Sequence, residues 1–344
     1  AAAGQTCLLL HGGDTFQGSL YFNRFKGRAN ADLLGLLRPD AMVIGNHEFD
    51  LGNGPLVEFL RQLDYPVLAA NLDSSQEPAD APLRLQGLPQ LFDASRPWHK
   101  RIIDGVPFAL LGITLPQMAA IASPDPHTRF HGIEETLSRA LGEIKAEGIA
   151  HIILLSHLGL EQDKRLAARF PELSLIVGGH THSQLGDLAP LGLISEGSYP
   201  LMIEGVAILH AAHSALCLGV CELEFDERGR VCQSRGQLEW LHVSVGQQVR
   251  LTHVDDVVAA IMATLYGQPQ AGGVVQVAGA VEGAHGLVDH GQAGAGFAKV
   301  GRHFRGIGLV GQDAGVQAAE DAVAFMAPHV LEVGAPAQFV HQLV

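Results

Sequence analysis

The sequence predicts an α/β fold with helices covering a sheet, and three observations predict it. Short β-branched or leucine-rich runs alternate with helix-period segments over about the first 225 residues. Four of the apolar runs end in a cluster of oxygen and imidazole side chains, the placement expected where strands leave an open α/β sheet. The composition, 47% hydrophobic and 17% charged over 344 residues, supports a packed core and leaves room for a second, smaller domain.

Residues 7–10 read as a strand, 28–37 as a helix and 41–44 as a strand. A helix at 55–63 and a strand at 66–70 follow, with Pro66 at the strand's first position, where a missing N–H is tolerated. Residues 73–97 carry Pro, Ser, Asp and Gln without a sustained period and read as a long surface excursion. Segments 101–104 and 107–113 form a hairpin around Asp104-Gly105. Helix 133–147 sets Leu137, Leu141 and Ile144 opposite its charged side. Strand 151–155, helix 161–169 and strand 174–177 come next. Strands at 201–211 and 215–225 close the region at the turn Asp226-Glu227-Arg228-Gly229.

The composition then shifts, and a boundary is placed at 235/236. Residues 241–344 hold only four basic residues, Arg250, Lys299, Arg302 and Arg305. Helical patterns at 254–265 and 316–327 are the clearest signals there. The tail reads as an unusual second domain, a disordered extension or a shifted reading frame.

The net charge of −14 argues against a nucleic-acid polymer or an anionic membrane surface as partner. A small anionic substrate stays open, because bound divalent cations supply their own positive field. No apolar run reaches the roughly 18 residues needed to span a bilayer. Cys7, Cys217, Cys221 and Cys232 form no close pair of zinc-site spacing, so structural or free thiols are expected. The opening Ala1-Ala2-Ala3-Gly4-Gln5 is neither a charged leader nor a strand, and the chain looks truncated or processed.

The four clusters are His11-Gly12-Gly13-Asp14, Gly45-Asn46-His47-Glu48-Phe49-Asp50, Ser156-His157 and Gly178-Gly179-His180-Thr181-His182. Taken singly, each has an ordinary reading. Asp14 after two glycines can brace a turn, Asn46-His47 can tie a loop, and His157 can cap a strand. Four such strand ends together point to a metal centre with Asp14 as the best candidate for a bridging carboxylate. A donor set without thiolate suits Zn, Mn, Fe or Co. Glu48, His11, His99, His127, His131, His151, His210 and His213 are taken as structural.

Gly13-Asp14, Gly45-Asn46-His47-Glu48-Phe49-Asp50, Ser156-His157 and Gly179-His180-Thr181-His182 resemble the calcineurin-like metallophosphoesterases. Gly13-Asp14-Thr15-Phe16-Gln17-Gly18-Ser19, Tyr21-Phe22 with Lys26-Gly27, Asp40-Ala41-Met42 and Ala69-Ala70-Asn71-Leu72 look like the bacterial 5′-nucleotidase branch. The resemblance spans about residues 7–232. It implies a sheet sandwich flanked by helices and two divalent metal ions. Asp14 would bridge both ions, Asn46, His157 and His180 would bind one, and His182 the other. His47, oriented by Asp50, would stabilise charge on phosphate or protonate the leaving oxygen.

The implied activity is hydrolysis of phosphate monoesters, nucleotides foremost, by a metal-activated water, in the periplasm or outside the cell. Two departures qualify it. The family pattern opens with a strand ending in Asp-x-His, and this chain starts past that point. One metal site is therefore expected to be impaired and the sheet to lack a central strand. The aromatic pair that clamps a base in nucleotide-specific members has no recognisable counterpart among Tyr266, Phe297, Phe304, Phe325 and Phe339. A thiosulfohydrolase-like relative and an inactive fragment are the rival readings.

Overall fold

The computed structural model describes residues 7–17, 20–84, 88–188, 193–213, 217–240, 244–245, 248–249 and 338–343. Their strands are β1 (Cys7–His11), β2 (Ala41–Val43), β3 (Val67–Leu68), β4 (Leu72–Asp73), β5 (Leu91–Phe92), β6 (Trp98–Ile103), β7 (Val106–Ile113) and β8 (Arg129–Phe130). There follow β9 (His151–Ser156), β10 (Leu175–Gly178), β11 (Leu201–Ile203), β12 (Val206–Leu209), β13 (Cys217–Phe225), β14 (Val231–Trp240), β15 (Ser244–Val245), β16 (Gln248–Val249) and β17 (Gln338–Leu343). The helices are α1 (Leu20–Phe25), α2 (Arg28–Leu37), α3 (Asn53–Leu60), α4 (Met118–Ile121), α5 (Ile133–Ala146) and α6 (Leu160–Arg169), with a single 3₁₀ turn at His47–Phe49 among the described residues.

Two sheets carry the architecture. One runs β14-β13-β17-β1-β2-β3-β5 and the other β11-β12-β10-β9-β7-β6. Strands β17, β1, β2, β3 and β5 are mutually parallel, as are β7, β9, β10 and β12. Leu8, Leu10, Val43 and Leu68 of the first sheet join Leu110, Ile153, Leu155 and Ile176 of the second in one buried core. The opposite face of the first sheet presents Met42, Ile44 and Val67 to Ala31, Leu34, Leu56 and Leu60 of α2 and α3. Leu137, Ala140 and Ile144 of α5 and Leu160 and Leu166 of α6 belong to the same core as the second sheet. Helix, sheet, sheet, helix is the layer order, the sandwich expected from the resemblance. Each fully buried leucine or isoleucine of this interior contributes about 1.5–3 kcal/mol of transfer free energy.

The structure departs from the sequence reading in several places. The expected strand 201–211 is the hairpin β11-β12, turned by Glu204 (φ 49°) and Gly205 (φ 86°). The excursion 73–97 is not all surface: Leu83 and Leu91 are 7% exposed and Phe92 8%, and β5 forms the sheet's edge. Helix α1 was not foreseen. Nor is the first sheet left with a gap, since β17 pairs parallel with β1 from Cys7↔Phe339 to His11↔Leu343 and antiparallel with β13. Strand β14 runs across position 235. The helical patterns at 254–265 and 316–327 lie outside the described residues. All four cysteines are free. Among the described residues no helix is long and apolar enough to cross a membrane.

Candidate metal centre

The carboxyl ends of β1, β2, β9 and β10 meet on one side of the sandwich, and each delivers one of the four clusters. Asp14 leaves β1 through Gly13 (φ 94°) and itself takes a left-handed conformation (φ 58°). Such a backbone costs a non-glycine residue free energy and has to be held. Glu48 holds it. Its wholly buried carboxylate accepts N–H bonds from Asp14 (2.9 Å), Thr15 (2.5 Å), Phe16 (3.2 Å) and Gly45 (2.7 Å), and the Thr15 hydroxyl at 2.9 Å. The loops after β1 and β2 are thereby stitched to one side chain. Burial and the neighbouring Asp14 charge push the Glu48 carboxyl up, while the His157 charge and the N–H donors pull it down.

Gly45 is the second requirement. A Cβ there would stand 2.2 Å from Asp14 Oδ1, so any side chain would occupy the carboxylate's place. The Asp14 carboxylate spans two motifs. Oδ1 accepts the backbone N–H of His47 at 2.9 Å, and Oδ2 lies 2.9 Å from His157 Nε2.

His157 is fully buried, and its Nδ1 lies 2.6 Å from the Gly12 carbonyl oxygen. A carbonyl only accepts, so the proton sits on Nδ1 and Nε2 is turned toward Asp14 and Asn46. Asn46 Oδ1 is 3.3 Å from His157 Nε2 and 3.0 Å from His180 Nδ1. Ligand atoms of Asp14, His157 and His180 all lie within 4.8 Å of one another. An imidazole lone pair facing two acceptor oxygens is repulsive unless a cation stands among them. Burial alone would push the His157 imidazole down, yet the Asp14 carboxylate beside it raises it. Asp14 responds in the opposite sense: burial opposes its ionisation, but the bonds from His157 and His47 hold it well below the usual carboxylate range. The site therefore recruits positive charge. A proton satisfies it, and so does a divalent metal, for which these donors are the usual oxygen and imidazole ligands.

The remaining predicted residues are placed differently. His180 (φ 76°) and His182 (φ 54°) sit in a loop, not a strand. His180 joins the cluster, and burial with the nearby His157 pushes its imidazole down. His182 stands outside the close group and stacks on His213, with ring centroids 4.5 Å apart and planes 21° from parallel. His47 Nδ1 lies 2.7 Å from Asp50 Oδ2, and the His47 side chain is 42% exposed. Burial lowers the His47 imidazole, but the Asp50 bond and the Asp14, Asp50 and Glu48 charges outweigh it and raise it.

A family model for calcineurin-like phosphoesterases matches residues 4–184. The chain belongs to the calcineurin-like phosphoesterase family. It is 35% identical over 251 residues to a probable 5′-nucleotidase of Treponema pallidum, covering 70% of this chain and 40% of that relative. The crystal structure of a 5′-nucleotidase precursor from Thermus thermophilus aligns with a TM-score of 0.63 at 36% identity, over 70% of this chain and 46% of the other. A sulfate thiohydrolase of Thermus thermophilus shares the fold at 23% identity and a TM-score of 0.55, over 68% of this chain and 38% of the other. The chain thus spans less than half the length of these relatives.

In this calcineurin-like phosphoesterase, two contributors escaped the sequence reading. The sequence marks Glu48 only as structural, and the structure shows that what it braces is Asp14 itself. Gln17 donates from Nε2 to Asp50 Oδ2, the oxygen that also faces His47. Only a glutamine within reach of an acid three loops away marks that role, and no local spacing reveals it. His11 is buried and accepts the Gly13 N–H on Nδ1 at 3.0 Å, a turn brace as expected of a structural histidine.

Proposed function

We propose that this protein hydrolyses phosphate monoesters, nucleotides first among them, at the strand-end site built on Asp14. The observation that carries the reading is the convergence of Asp14, His157 and His180 ligand atoms within 4.8 Å, with Asn46 Oδ1 in reach of both imidazoles. In this proposal Asp14, Asn46, His157 and His180 hold one divalent ion, and Asp14 with His182 holds a second. Such ions neutralise phosphoryl oxygens and acidify water. The family, with 5′-nucleotidases among its relatives, supports this chemistry.

The rest is done by the chain's own side chains. Asp14 keeps its negative charge at neutral pH, because its pKa lies far below that range. The Gly12 carbonyl fixes the His157 tautomer, so that Nε2 would have its lone pair free to hold a divalent metal. His47, whose pKa the Asp50 bond helps raise toward the charged form, is the group that would meet developing negative charge on phosphate or give a proton to the leaving oxygen. Gln17 fixes the Asp50 carboxylate that orients this imidazole.

The test is a panel of nucleoside monophosphates, a simple aryl phosphate and a thiosulfate conjugate, each with added Mn, Zn or Co. Nucleotide turnover should exceed thiosulfate turnover. His47→Ala should lower kcat by about 10²–10⁴-fold with metal content unchanged. Cleavage of the thiosulfate conjugate alone, or full activity in His47→Ala, would overturn the assignment.

A further inference from the structure

Behind the centre lies a buried polar group that none of the roles above uses. Asp163 is a helix α6 residue with no exposed surface, and a carboxylate so buried survives only with donors around it. It has two among the described residues. Ser156 Oγ donates to Oδ1 at 2.5 Å, and His210 Nε2 donates to Oδ2 at 2.7 Å. Ser156 is fully buried and His210 is 1% exposed. Burial pushes the Asp163 carboxyl up, and the His210 and Ser156 bonds pull it back.

The placement of the partners gives the group its meaning. Ser156 ends β9 and is followed by His157. Gly178 ends β10, pairs in register with Ser156, and is followed two residues on by His180. His210 follows β12, the strand on the far side of β10. A Cβ on Gly178 would fall 2.0 Å from His210 Nε2 and 2.2 Å from Asp163 Oδ2, so the strand end is moulded around the Asp163–His210 hydrogen bond. The same helix also touches the second histidine loop, where the Leu160 N–H donates to the Thr181 hydroxyl at 3.1 Å. One carboxylate on the helix thus ties the end of β9 to the end of β12 across the close-packed end of β10.

We propose that Asp163, with His210 and Ser156, is a positioning group that sets the separation of His157 and His180, whose ring centroids are 5.2 Å apart. It hydrogen-bonds to neither of them. It fixes the backbone from which each departs, so that both imidazoles reach one ion without rearrangement. A rigid set of ligands binds more tightly than one that must be ordered by the ion. The inference rests on the reading of this site as a metal centre.

The experiment uses the full chain and cobalt(II), with affinity from chelator competition and geometry from the visible absorption of the bound ion. Asp163→Asn should weaken cobalt binding by about tenfold to a hundredfold and shift the absorption bands. His210→Gln, whose amide N–H can still reach the carboxylate, should lose less. Ser156→Ala removes a single bond with little change of shape and carries the test should Asp163→Asn fail to fold; it should also weaken binding. Ile208→Val is the control, since it thins the packing of β12 and leaves the polar group alone. It should lower the melting temperature without altering cobalt affinity. Wild-type cobalt affinity and spectrum in Ser156→Ala and His210→Gln would overturn the positioning role, as would an equal affinity loss in Ile208→Val. A wild-type protein that takes up no cobalt would instead overturn the reading of the site itself.

Discussion

The two halves of the candidate centre are built to different standards. On one side His157 has no exposed surface, its Nδ1 is tied to a backbone carbonyl, and its neighbour Asp14 is held by the His47 N–H. On the other, His182 is exposed and leans on His213, and His47, with a side chain 42% exposed, is steered by Asp50. Burial and shared hydrogen bonds remove rotamer freedom before any ligand arrives, so the cost of ordering is met during folding. Groups that must meet a substrate have to stay reachable by solvent. Under the proposed function, the His157 side would be the anchoring site and the His182 and His47 side the working face.

Two single substitutions measure that asymmetry. His157→Ala should lower turnover by on the order of 10³-fold and abolish tight manganese binding, because the remaining donors lose their fixed centre. His182→Ala should cost only about tenfold in metal affinity and leave one equivalent bound. Chelator competition and metal analysis on both variants decide the matter. Equal losses, or the larger loss in His182→Ala, would remove the distinction between anchor and working face.

A smaller effect probes how tightly the anchor is packed. Gly45→Ala places a methyl where Asp14 Oδ1 now sits, 2.2 Å from the carboxylate and 2.7 Å from His157 Cε1. The loop has to move, at a cost of about 1–3 kcal/mol. Gly54→Ala, in the first turn of α3, meets nothing within 4 Å. It should be neutral or stabilising by up to about 1 kcal/mol. Denaturant unfolding of the metal-free proteins gives both numbers. A Gly45→Ala variant as stable as wild type would show that the anchor yields more easily than its geometry implies.

Much of this site was legible because its signals are local. Gly-Asp, Gly-Asn-His-Glu, Ser-His and Gly-His-Thr-His each sit where an apolar run stops, and a strand end needs no distant information to be read. The sandwich followed from the resemblance those motifs carry. Whatever depends on tertiary contact stayed hidden. Asp163 reads as one polar residue on a helix with several, and nothing nearby marks it as the partner of His210, 47 positions away. Glu48 lies inside a motif, yet its hold on the backbone at Asp14 to Phe16 appears only once β1 and β2 are paired. Leu83, Leu91 and Phe92 lack a period because isolated residues, not faces, are buried there. The hairpin at Glu204-Gly205 could have been seen, since a glycine after a polar residue between apolar runs is a turn signal. Strand β17 could not, because its pairing with β1 joins residues more than three hundred positions apart.

The mildest test separates the two regions by the sign of their pH response. Burial holds the His11 imidazole on the anchored side down at about 4, against an ordinary value near 6.5. The unfolded chain therefore takes a proton at His11 over that interval while the folded chain does not. Stability from this residue is complete above 6.5 and falls as pH drops toward 4, by at most roughly 1.4 kcal/mol per pH unit. His47 on the working face has a raised pKa, so its contribution is complete below the ordinary histidine range and is lost as pH rises through the folded value; exposure to solvent keeps it small. His11→Asn retains an acceptor for the Gly13 N–H and does not titrate. In metal-free protein its melting temperature should fall less than that of wild type between pH 6.5 and 4 and match the wild-type trend above pH 7. Parallel curves across the acid range would mean that His11 is protonated in the folded state, and that the interior beneath Asp14 is wetter than its burial indicates.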